Sequence, residues 1–382
     1  MSLRAGGDEL TVRVIRTEGE WDALHSAWDD LYAACPDAAA PVDFAWMRTW
    51  WRFYGATYGP GGLRIVTAWR SDELVAVLPL YLSAGDQARA GGRCLRFIST
   101  GEAEYEEVCP EYLDLICRPV DAPVAAEAIW DEVNRLTWDC LEWLDLRASS
   151  PLLRARSLPP GAAAFSRGSC PIADLSSGFD DYVERLSSKG RKEVRRLLRD
   201  AETLGARLEV AGEDQADAAF EDLCRLHQAR WEGRGEPGVF AAPRFAAFHR
   251  DLVRQWLPGG RAVLARLWLG EEPAAVLYGF VAGAKVDIYQ SGVRMDAVGT
   301  MRSPGTLLHL LLMQALVTRG ITAYDFLSGA AFYKDRLATR EQALAGIRIW
   351  RTTPRALAAR VWQFSVRRLG RYARSRTGGT AC

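Results

Sequence analysis

Residues 285–334 constrain the fold more than any other stretch, because they predict a strand, a loop, a helix and a second strand in direct succession. KVDIYQSG alternates and is rich in β-branched and aromatic residues, which predicts a strand ending at Gly292. After the loop VRMDAVGTMR, Ser303 fits a helix N-cap, Pro304 the first helical position and Gly320 the C-terminal stop. The helix is apolar on nearly every side, so we expect it to be buried against a sheet. ITAYDFL then predicts the second strand and GAAFYKDR a loop.

The start of this predicted helix is a candidate anion site, formed by Ser303, Pro304, Gly305 and Thr306. Free backbone N–H groups and the positive end of the helix dipole would lie there, where a pyrophosphate can bind. The loop is not a P-loop, because no Gly-Lys-Ser/Thr follows the glycine. The alternative is a helix start that binds nothing.

The composition is that of a globular protein. The chain has 382 residues, which favours two domains, and its net charge of zero does not indicate nucleic-acid binding through bulk charge. We expect a cytoplasmic protein, because the N-terminus lacks an apolar signal segment and no apolar run reaches membrane-spanning length. The eight cysteines form no CxxC pair and the four histidines show no ligand spacing, so we expect neither disulfides nor a metal site.

The two halves of the chain show an internal duplication. The hairpins VTAWRSDELVAVLPLYL and LARLWLGEEPAAVLYGF align, and each half reads strand, helix, helix, hairpin, further strand, helix, strand. A Ser/Pro/Arg-rich segment at residues 147–171 predicts the connection. We therefore expect domains at residues 1–165 and 171–352, followed by a basic amphipathic helix or tail at residues 353–382.

The order of the elements, with a meander of antiparallel strands feeding a helix and a further strand, resembles the GNAT acyltransferase fold. PIADL, LSSKGRKEVRRLLRDAETLG, LCRLHQARWEGRG, SPGTLLHLLL and YDFLSGAAFYKDR resemble the bacterial CelD/BcsL (cellulose-biosynthesis-associated) family, which is related to the FemAB aminoacyltransferases. The resemblance implies an α/β (α+β) fold of tandem GNAT-like domains, each a mixed, mostly antiparallel sheet flanked by helices. The first domain would be a degenerate copy that scaffolds or shapes the acceptor cleft, because residues 102–111 carry five acidic residues that would repel a polyanion.

The activity implied by the resemblance is transfer of an acetyl or other acyl group from acyl-CoA to an amine or hydroxyl. The acceptor would be a small molecule or a saccharide, such as an envelope or exopolysaccharide precursor, and no metal is needed. In a GNAT-like fold the strand ending at Gly292 splays from its neighbour, and Gln290 and Ser291 offer backbone groups to the acyl-pantetheine. The alternative is an ordinary polar strand end. In the family, the loop that binds the pyrophosphate of coenzyme A has the sequence Gln/Arg-x-x-Gly-x-Gly/Ala. The corresponding turn here, MRSPGT, has one glycine. Arg302 and Gly305 would bind the pyrophosphate in its place.

Three residues near the last predicted strand are candidates for the chemistry. Asp325 lies in an otherwise apolar strand, so its carboxylate should be paired or have a raised pKa, which suits a general base. The alternative is a structural partner for Lys334 or an arginine. Tyr333 would protonate the leaving thiolate and Lys334 would stabilise the oxyanion, unless the two form a solvated loop pair.

The helix LCRLHQARW carries His227 and Arg230, which are three residues apart and share a face. His227 is a candidate catalytic residue if that face lines the cleft, and Arg230 and Trp231 would bind the acceptor; the alternative for His227 is a structural role. We expect direct transfer in a ternary complex, since no Cys–His pairing indicates a covalent intermediate.

Two basic stretches leave other functions open. One helix carries six basic residues, and a basic tail follows at residues 353–382. Each is either a solvated face above a packed one or a surface that contacts phosphates, including an anionic membrane, and the choice stays open for the tail. We favour a solvated face for the helix, whose basic residues are Lys189, Arg191, Lys192, Arg195, Arg196 and Arg199. The alternative functions are a FemAB-like transferase that uses aminoacyl-tRNA, and a non-catalytic GNAT scaffold in polysaccharide synthesis. Nucleic acid is expected only as tRNA under the first of these.

Overall fold

The computed structural model describes residues 10–83, 92–159, 162–295, 297, 301, 303–329, 331–358 and 360–361. The chain divides into two compact units. Unit 1 comprises residues 1–103, 108–168 and 343–382, and unit 2 comprises residues 104–107 and 169–342.

Unit 1 is built from four helices and seven strands that precede residue 150, within the described residues. The helices are α1 (Glu18–Asp22), α2 (His25–Ala33), α3 (Phe44–Tyr58) and α4 (Ala122–Arg135). The strands are β1 (Thr11–Ile15), β2 (Ile65–Arg70), β3 (Glu73–Leu78), β4 (Leu80–Ser83), β5 (Cys94–Phe97), β6 (Ile116–Cys117) and β7 (Cys140–Arg147). Strands β1, β2, β3 and β6 form an antiparallel sheet in that order. Helix α3 starts at an Asp43 cap and buries Trp46, Trp50 and Tyr54, which recur every four residues along one face.

Unit 2 contains six helices and a mixed sheet in the described part of the chain. The helices are α5 (Phe179–Arg185), α6 (Ser188–Leu204), α7 (Ala216–Glu232), α8 (Pro243–Trp256), α9 (Pro304–Val317) and α10 (Phe332–Leu337). The strands are β8 (Ala164–Asp174), β9 (Arg207–Val210), β10 (Ala262–Leu269), β11 (Glu272–Ala282), β12 (Lys285–Val293) and β13 (Ala323–Asp325). The first five residues of β8, up to residue 168, belong to unit 1. Their order is β8-β13-β12-β11-β10-β9, and β12 and β13 are parallel while the other neighbouring pairs are antiparallel.

The last strand, β14 (Arg340–Trp350), returns to unit 1 for most of its length. It pairs antiparallel with β7, so that Ile347 lies opposite Trp143 and Arg348 forms an ion pair with Glu142. Strands β4, β5, β7 and β14 are neighbours in that order, and β5 and β7 are parallel. This arrangement differs from the predicted limits of 1–165 and 171–352, which assign the last strand to the second half. Strand β8 also begins inside the predicted connection at residues 147–171.

The predicted fold class is confirmed as a mixed α/β architecture of sheets flanked by helices. Helix α9 begins at Pro304, as predicted, and its leucines lie in the core of unit 2. Ser303 occupies the N-cap position with a left-handed φ of 53°, and its side chain makes no capping hydrogen bond. The predicted loop GAAFYKDR is wrong over residues 332–336, which are helical. Within the described residues no helix has the length and apolar character needed to cross a membrane.

Candidate functional site

Strands β12 and β13 part after three residues of parallel pairing. Lys285–Asp287 pair with Ala323–Asp325, and β13 ends there. Strand β12 continues to Val293 and stays paired with β11 on its other side, through a register irregularity beside Tyr278. Gln290 and Ser291 lie in this continuation and are half-buried. Over residues 288–293, the edge of β12 on the β13 side therefore has no pairing with β13, and we call it the released edge of β12.

The start of helix α9 contacts the end of β12. A Cβ atom added at Gly305 would lie 3.1 Å from Val293 Cγ2. Pro304 has no amide hydrogen, and the amides of Gly305 and Thr306 donate no hydrogen bond within the described residues. No described residue occupies these two backbone donors, which makes them candidates for binding an anion beside the part of β12 that no longer pairs with β13. Arg302, the other predicted residue of this turn, lies outside the described residues.

Asp325 is fully buried and both of its carboxylate oxygens have partners. Oδ1 accepts a hydrogen bond of 2.8 Å from the amide of Leu327, and Oδ2 lies 3.3 Å from Lys285 Nζ. Lys285 Nζ also lies 2.6 Å from Asp287 Oδ1, and the Asp287 side chain is 3% exposed. One ammonium group therefore bridges two buried carboxylates at the point where the strands part.

Among the described contacts Asp325 pairs with Lys285, where the sequence suggested Lys334 or an arginine, and Lys334 makes other contacts. Its Nζ donates to the carbonyl oxygens of Leu327 at 3.1 Å and Ser328 at 2.6 Å. The lysine lies on α10 and so ties this helix to the loop that follows β13. The reason for the difference is register, because Lys285 and Asp325 approach each other only through the pairing of two strands that are far apart in sequence.

Tyr333, also on α10, packs on a buried histidine. Its ring stacks on His309 with centroids 4.9 Å apart, and His309 Nδ1 shares a hydrogen bond of 2.7 Å with Tyr324 Oη. Burial lowers the pKa of His309 to about 3, and the charge of Lys334 acts in the same direction. Burial raises the pKa of Tyr333, against the opposing charge of Arg230. At neutral pH the imidazole is therefore uncharged and the Tyr333 phenol keeps its proton.

Sequence reasoning missed His309 and Tyr324. The signal was a single histidine within LLHLLL, because a polar ring on a buried apolar helix must find a partner.

Arg230, on α7, is a half-buried cation close enough to Tyr333 for the two to interact electrostatically. Burial lowers its pKa, and the charge of Arg234 adds to this. Within the described residues its guanidinium makes no ion pair and no hydrogen bond. Its planar donors can therefore bind a carboxylate or phosphate.

His227 lies one turn earlier on α7 and is packed among aromatic rings. Its ring meets Phe240 edge-on at 5.0 Å and lies 5.9 Å from the ring of Trp231. Burial lowers the pKa of His227 to about 4, so the ring is neutral at pH 7. Nδ1 lies 3.3 Å from Gln228 Oε1. The structure thus brings Arg230 and Tyr333 near each other, while His227 is enclosed by its own helix and Phe240.

This part of the chain has known relatives. Residues 188–335 match the acetyltransferase (GNAT) domain family. The matched residues begin at the start of α6, end within α10 and include every candidate residue described above. No curated protein matches the chain.

Solved structures show the same overall fold at low sequence identity. FemX is 11% identical, with 88% of this chain and 96% of that chain covered and a TM-score of 0.59. The C-terminal domain of a protein described as a lysylphosphatidylglycerol synthetase from Agrobacterium fabrum is 12% identical, with 88% and 95% covered and a TM-score of 0.53. L-PGS from Bacillus licheniformis is 14% identical, with 79% and 88% covered and a TM-score of 0.50. These likenesses concern the fold and assign no substrate.

Proposed function

We propose that the protein transfers an acyl group from acyl-CoA to an amine or hydroxyl acceptor. The observation that carries this proposal is the parting of β12 and β13 beside the free amides of Gly305 and Thr306, within a GNAT domain. The released edge of β12 offers backbone donors and acceptors to the extended amides of pantetheine. The start of α9 offers N–H groups and the positive end of the helix dipole to the pyrophosphate.

The chemistry follows from the protonation states of the side chains. The acceptor nitrogen or oxygen attacks the thioester carbonyl, a bond to the acyl carbon forms, and the carbon–sulfur bond breaks. Tyr333 gives its proton to the departing thiolate, because burial keeps the phenol protonated and its hydroxyl makes no hydrogen bond within the described residues. The proton that the acceptor loses when the amide or ester forms then restores the phenol. Backbone N–H groups on the released edge of β12 stabilise the oxyanion. Lys334 supports α10, since its ammonium group is engaged by two carbonyl oxygens.

The acceptor is expected to carry an anionic group that binds Arg230, with Trp231 and His227 shaping the surface around it. A saccharide of the cell envelope fits this description if it bears a phosphate or carboxylate. The same cation also suits a lipid phosphate, which is relevant because a neighbour of this fold is described as a lysylphosphatidylglycerol synthetase. Membership of the CelD/BcsL family remains part of this proposal.

A second candidate donor is aminoacyl-tRNA, and the surface of α6 favours it. Glu184 pairs with Arg191 and Arg195, whereas Lys189, Lys192 and Arg199 carry no ion pair within the described residues. Lys189 and Lys192 are exposed, so the helix presents unbalanced positive charge. The likeness to FemX supports the fold of such an enzyme and nothing further.

Binding measurements separate the candidates. We expect acetyl-CoA to raise the melting temperature of the full chain, and deacylated tRNA and UDP-N-acetylglucosamine to leave it unchanged. A shift with tRNA alone would favour the aminoacyl-tRNA donor, and no shift with any of the three would favour a non-catalytic scaffold.

Gly305 provides the test of the anion site. Gly305→Asp should weaken acetyl-CoA binding at least tenfold, or about 1.4 kcal/mol, because the carboxylate occupies the phosphate position and bonds to the same amides. Gly305→Ala is the matched control: its Cβ meets Val293 Cγ2 at 3.1 Å, which a small side-chain shift relieves, so affinity should change less than about threefold. A folded Gly305→Asp protein with wild-type affinity would remove this turn from the mechanism.

A further inference from the structure

Unit 1 contains a cavity of about 170 Å³. Its lining comes from three segments: residues 35–42 after α2, residues 112–122 around β6, and residues 147–151 after β7. None of these residues belongs to the GNAT domain or takes part in the function proposed above.

The cavity has apolar walls and the size of a small ring compound. Ala39, Val42, Leu115 and Ile116 line it, and all four are buried. An apolar cavity of about 150 Å³ is large enough to bind benzene. A ligand with an apolar body of six or seven carbon atoms has a matching volume.

One buried carboxylate, Asp114, lines the cavity with one oxygen unsatisfied. Its Oδ1 accepts hydrogen bonds from Ser150 Oγ at 2.6 Å and from the amide of Leu115 at 2.8 Å. Its Oδ2 accepts no hydrogen bond from any described residue, although the residue is only 9% exposed. Oδ2 is not one of the fully buried atoms of the described residues, so its acceptor positions are open to a ligand in the cavity that donates to them. Burial raises the pKa of Asp114 to about 6, and the group is still mostly charged at pH 7.

The remaining charges of the lining favour a cation. Asp37 is exposed and adds a second carboxylate. The guanidinium of Arg147 lies over the ring of Tyr112, 4.6 Å from its centroid, and its charge acts against the burial that raises the pKa of Asp114. Cys35 and Cys117 contribute no charge at neutral pH, because burial raises the pKa of their thiols to about 11 and about 12. Two acids against one arginine leave the lining with an excess of negative charge.

We propose that this cavity binds a small organic ammonium ion, with its N–H group donating to Asp114 Oδ2 and its apolar body against Val42, Leu115 and Ile116. The site lies wholly in unit 1 and does not depend on the acyl transfer proposed for unit 2.

Three ring compounds of one shape test the proposal on the full wild-type chain. Benzylamine is a cation at pH 7, benzyl alcohol is neutral and benzoate is an anion. We expect benzylamine to shift the methyl NMR signals of Val42, Leu115 and Ile116, to bind at least tenfold more tightly than benzyl alcohol, and to bind where benzoate does not. Equal affinity for benzylamine and benzyl alcohol, or shifts that spare these three methyl groups, would overturn the proposal.

Two substitutions assign the charge. Asp114→Asn keeps an oxygen for Ser150 and Leu115 and should lower the affinity for benzylamine at least tenfold, to the level of benzyl alcohol. Asp37→Asn removes an exposed carboxylate and should change it less than threefold. Retained benzylamine affinity in a folded Asp114→Asn protein contradicts the assignment. If that variant fails to fold, the order of affinities on the wild-type chain still decides the matter.

Discussion

Lys285 balances two buried carboxylates at the point where β12 and β13 part, and this contact limits what Asp325 can do. Both oxygens of Asp325 are engaged, one by Lys285 and the other by the amide of Leu327. If Asp325 accepted a proton during catalysis, it would lose the negative charge that pairs with Lys285. Tyr333 differs, because its hydroxyl makes no hydrogen bond within the described residues. We infer that Asp325 holds the strands in register and that the proton transfer belongs to Tyr333.

Two substitutions with opposite expected effects test this assignment. Asp325→Asn should lower the free energy of unfolding by about 1–3 kcal/mol, because it weakens the ion pair with Lys285, and should leave kcat within about threefold of wild type. Tyr333→Phe keeps the ring that stacks on His309, so stability should change by less than about 1 kcal/mol. Its kcat should fall by roughly 10²–10⁴-fold. Urea unfolding and release of free thiol from acetyl-CoA measure both quantities on each protein.

The opposite pattern would identify Asp325 as the general base. In that case the Asp325→Asn protein would be as stable as wild type but have a kcat at least a hundredfold lower, and the Tyr333→Phe protein would keep the wild-type kcat. A wild-type affinity for acetyl-CoA in both variants is the control, since neither side chain is expected to hold the cofactor.

The burial of Asp325 was predictable from its apolar strand, but its partner was not. Lys285 is 40 residues away in sequence, and the two meet only because the strands pair in one particular register. A register is set by packing of the whole sheet, which local patterns do not specify. The pairing of His309 with Tyr324 was hidden for the same reason, since it joins a helix and a strand across the core.

At the scale of elements, helix α7 packs against β12 at Gly292, where the strand has no side chain. A Cβ atom at Gly292 would lie 2.7 Å from Leu226 Cβ and 2.9 Å from the backbone nitrogen of His227. The helix therefore packs directly on the strand backbone, in the part of β12 that has parted from β13. This contact fixes the distance from the released edge of β12 to the helix that carries Arg230.

Gly292→Ala should consequently destabilise the protein by about 1–3 kcal/mol, because the added methyl group meets backbone atoms that cannot rotate away. Binding of acetyl-CoA should weaken as well, since α7 must move off β12. Gly212→Ala is the matched control: a Cβ there meets nothing within 4 Å and its φ of −85° suits any residue. Urea unfolding of the two variants gives the comparison. Equal stability of both would show that the helix yields without cost.

Elements with a clear period were predictable, and short ones were not. Strand β12 and helix α9 were predicted near their observed limits, because alternation and an apolar run extend over many residues. Helix α10 has six residues, too few for a period to show, and the sequence was interpreted as a loop. Its position is set instead by Lys334, which bonds to the carbonyl groups after β13.

For the whole molecule, the last strand follows the residues of unit 2 in the sequence but belongs to unit 1 in the structure. The sequence places ALAGIRIWR after the GNAT domain, and a linear division of the chain assigns it there. Residues 343–350 belong to unit 1, where they pair with β7. No local pattern could reveal this, because an alternating strand is compatible with either sheet.

Removal of this strand should therefore damage unit 1 and spare unit 2. A chain that ends at Gln342 loses the buried side chains of Leu344 and Ile347, which contribute about 1.5–3 kcal/mol each, so we expect unit 1 to lose roughly 3–6 kcal/mol. Amide hydrogens of β7 (Cys140–Arg147) should then exchange much faster, while those of β11 (Glu272–Ala282) keep their protection. A chain that ends at Val361 retains β14 and is the control; it should match the full chain in both strands. Faster exchange in β11 as large as that in β7 would mean that the units do not unfold separately.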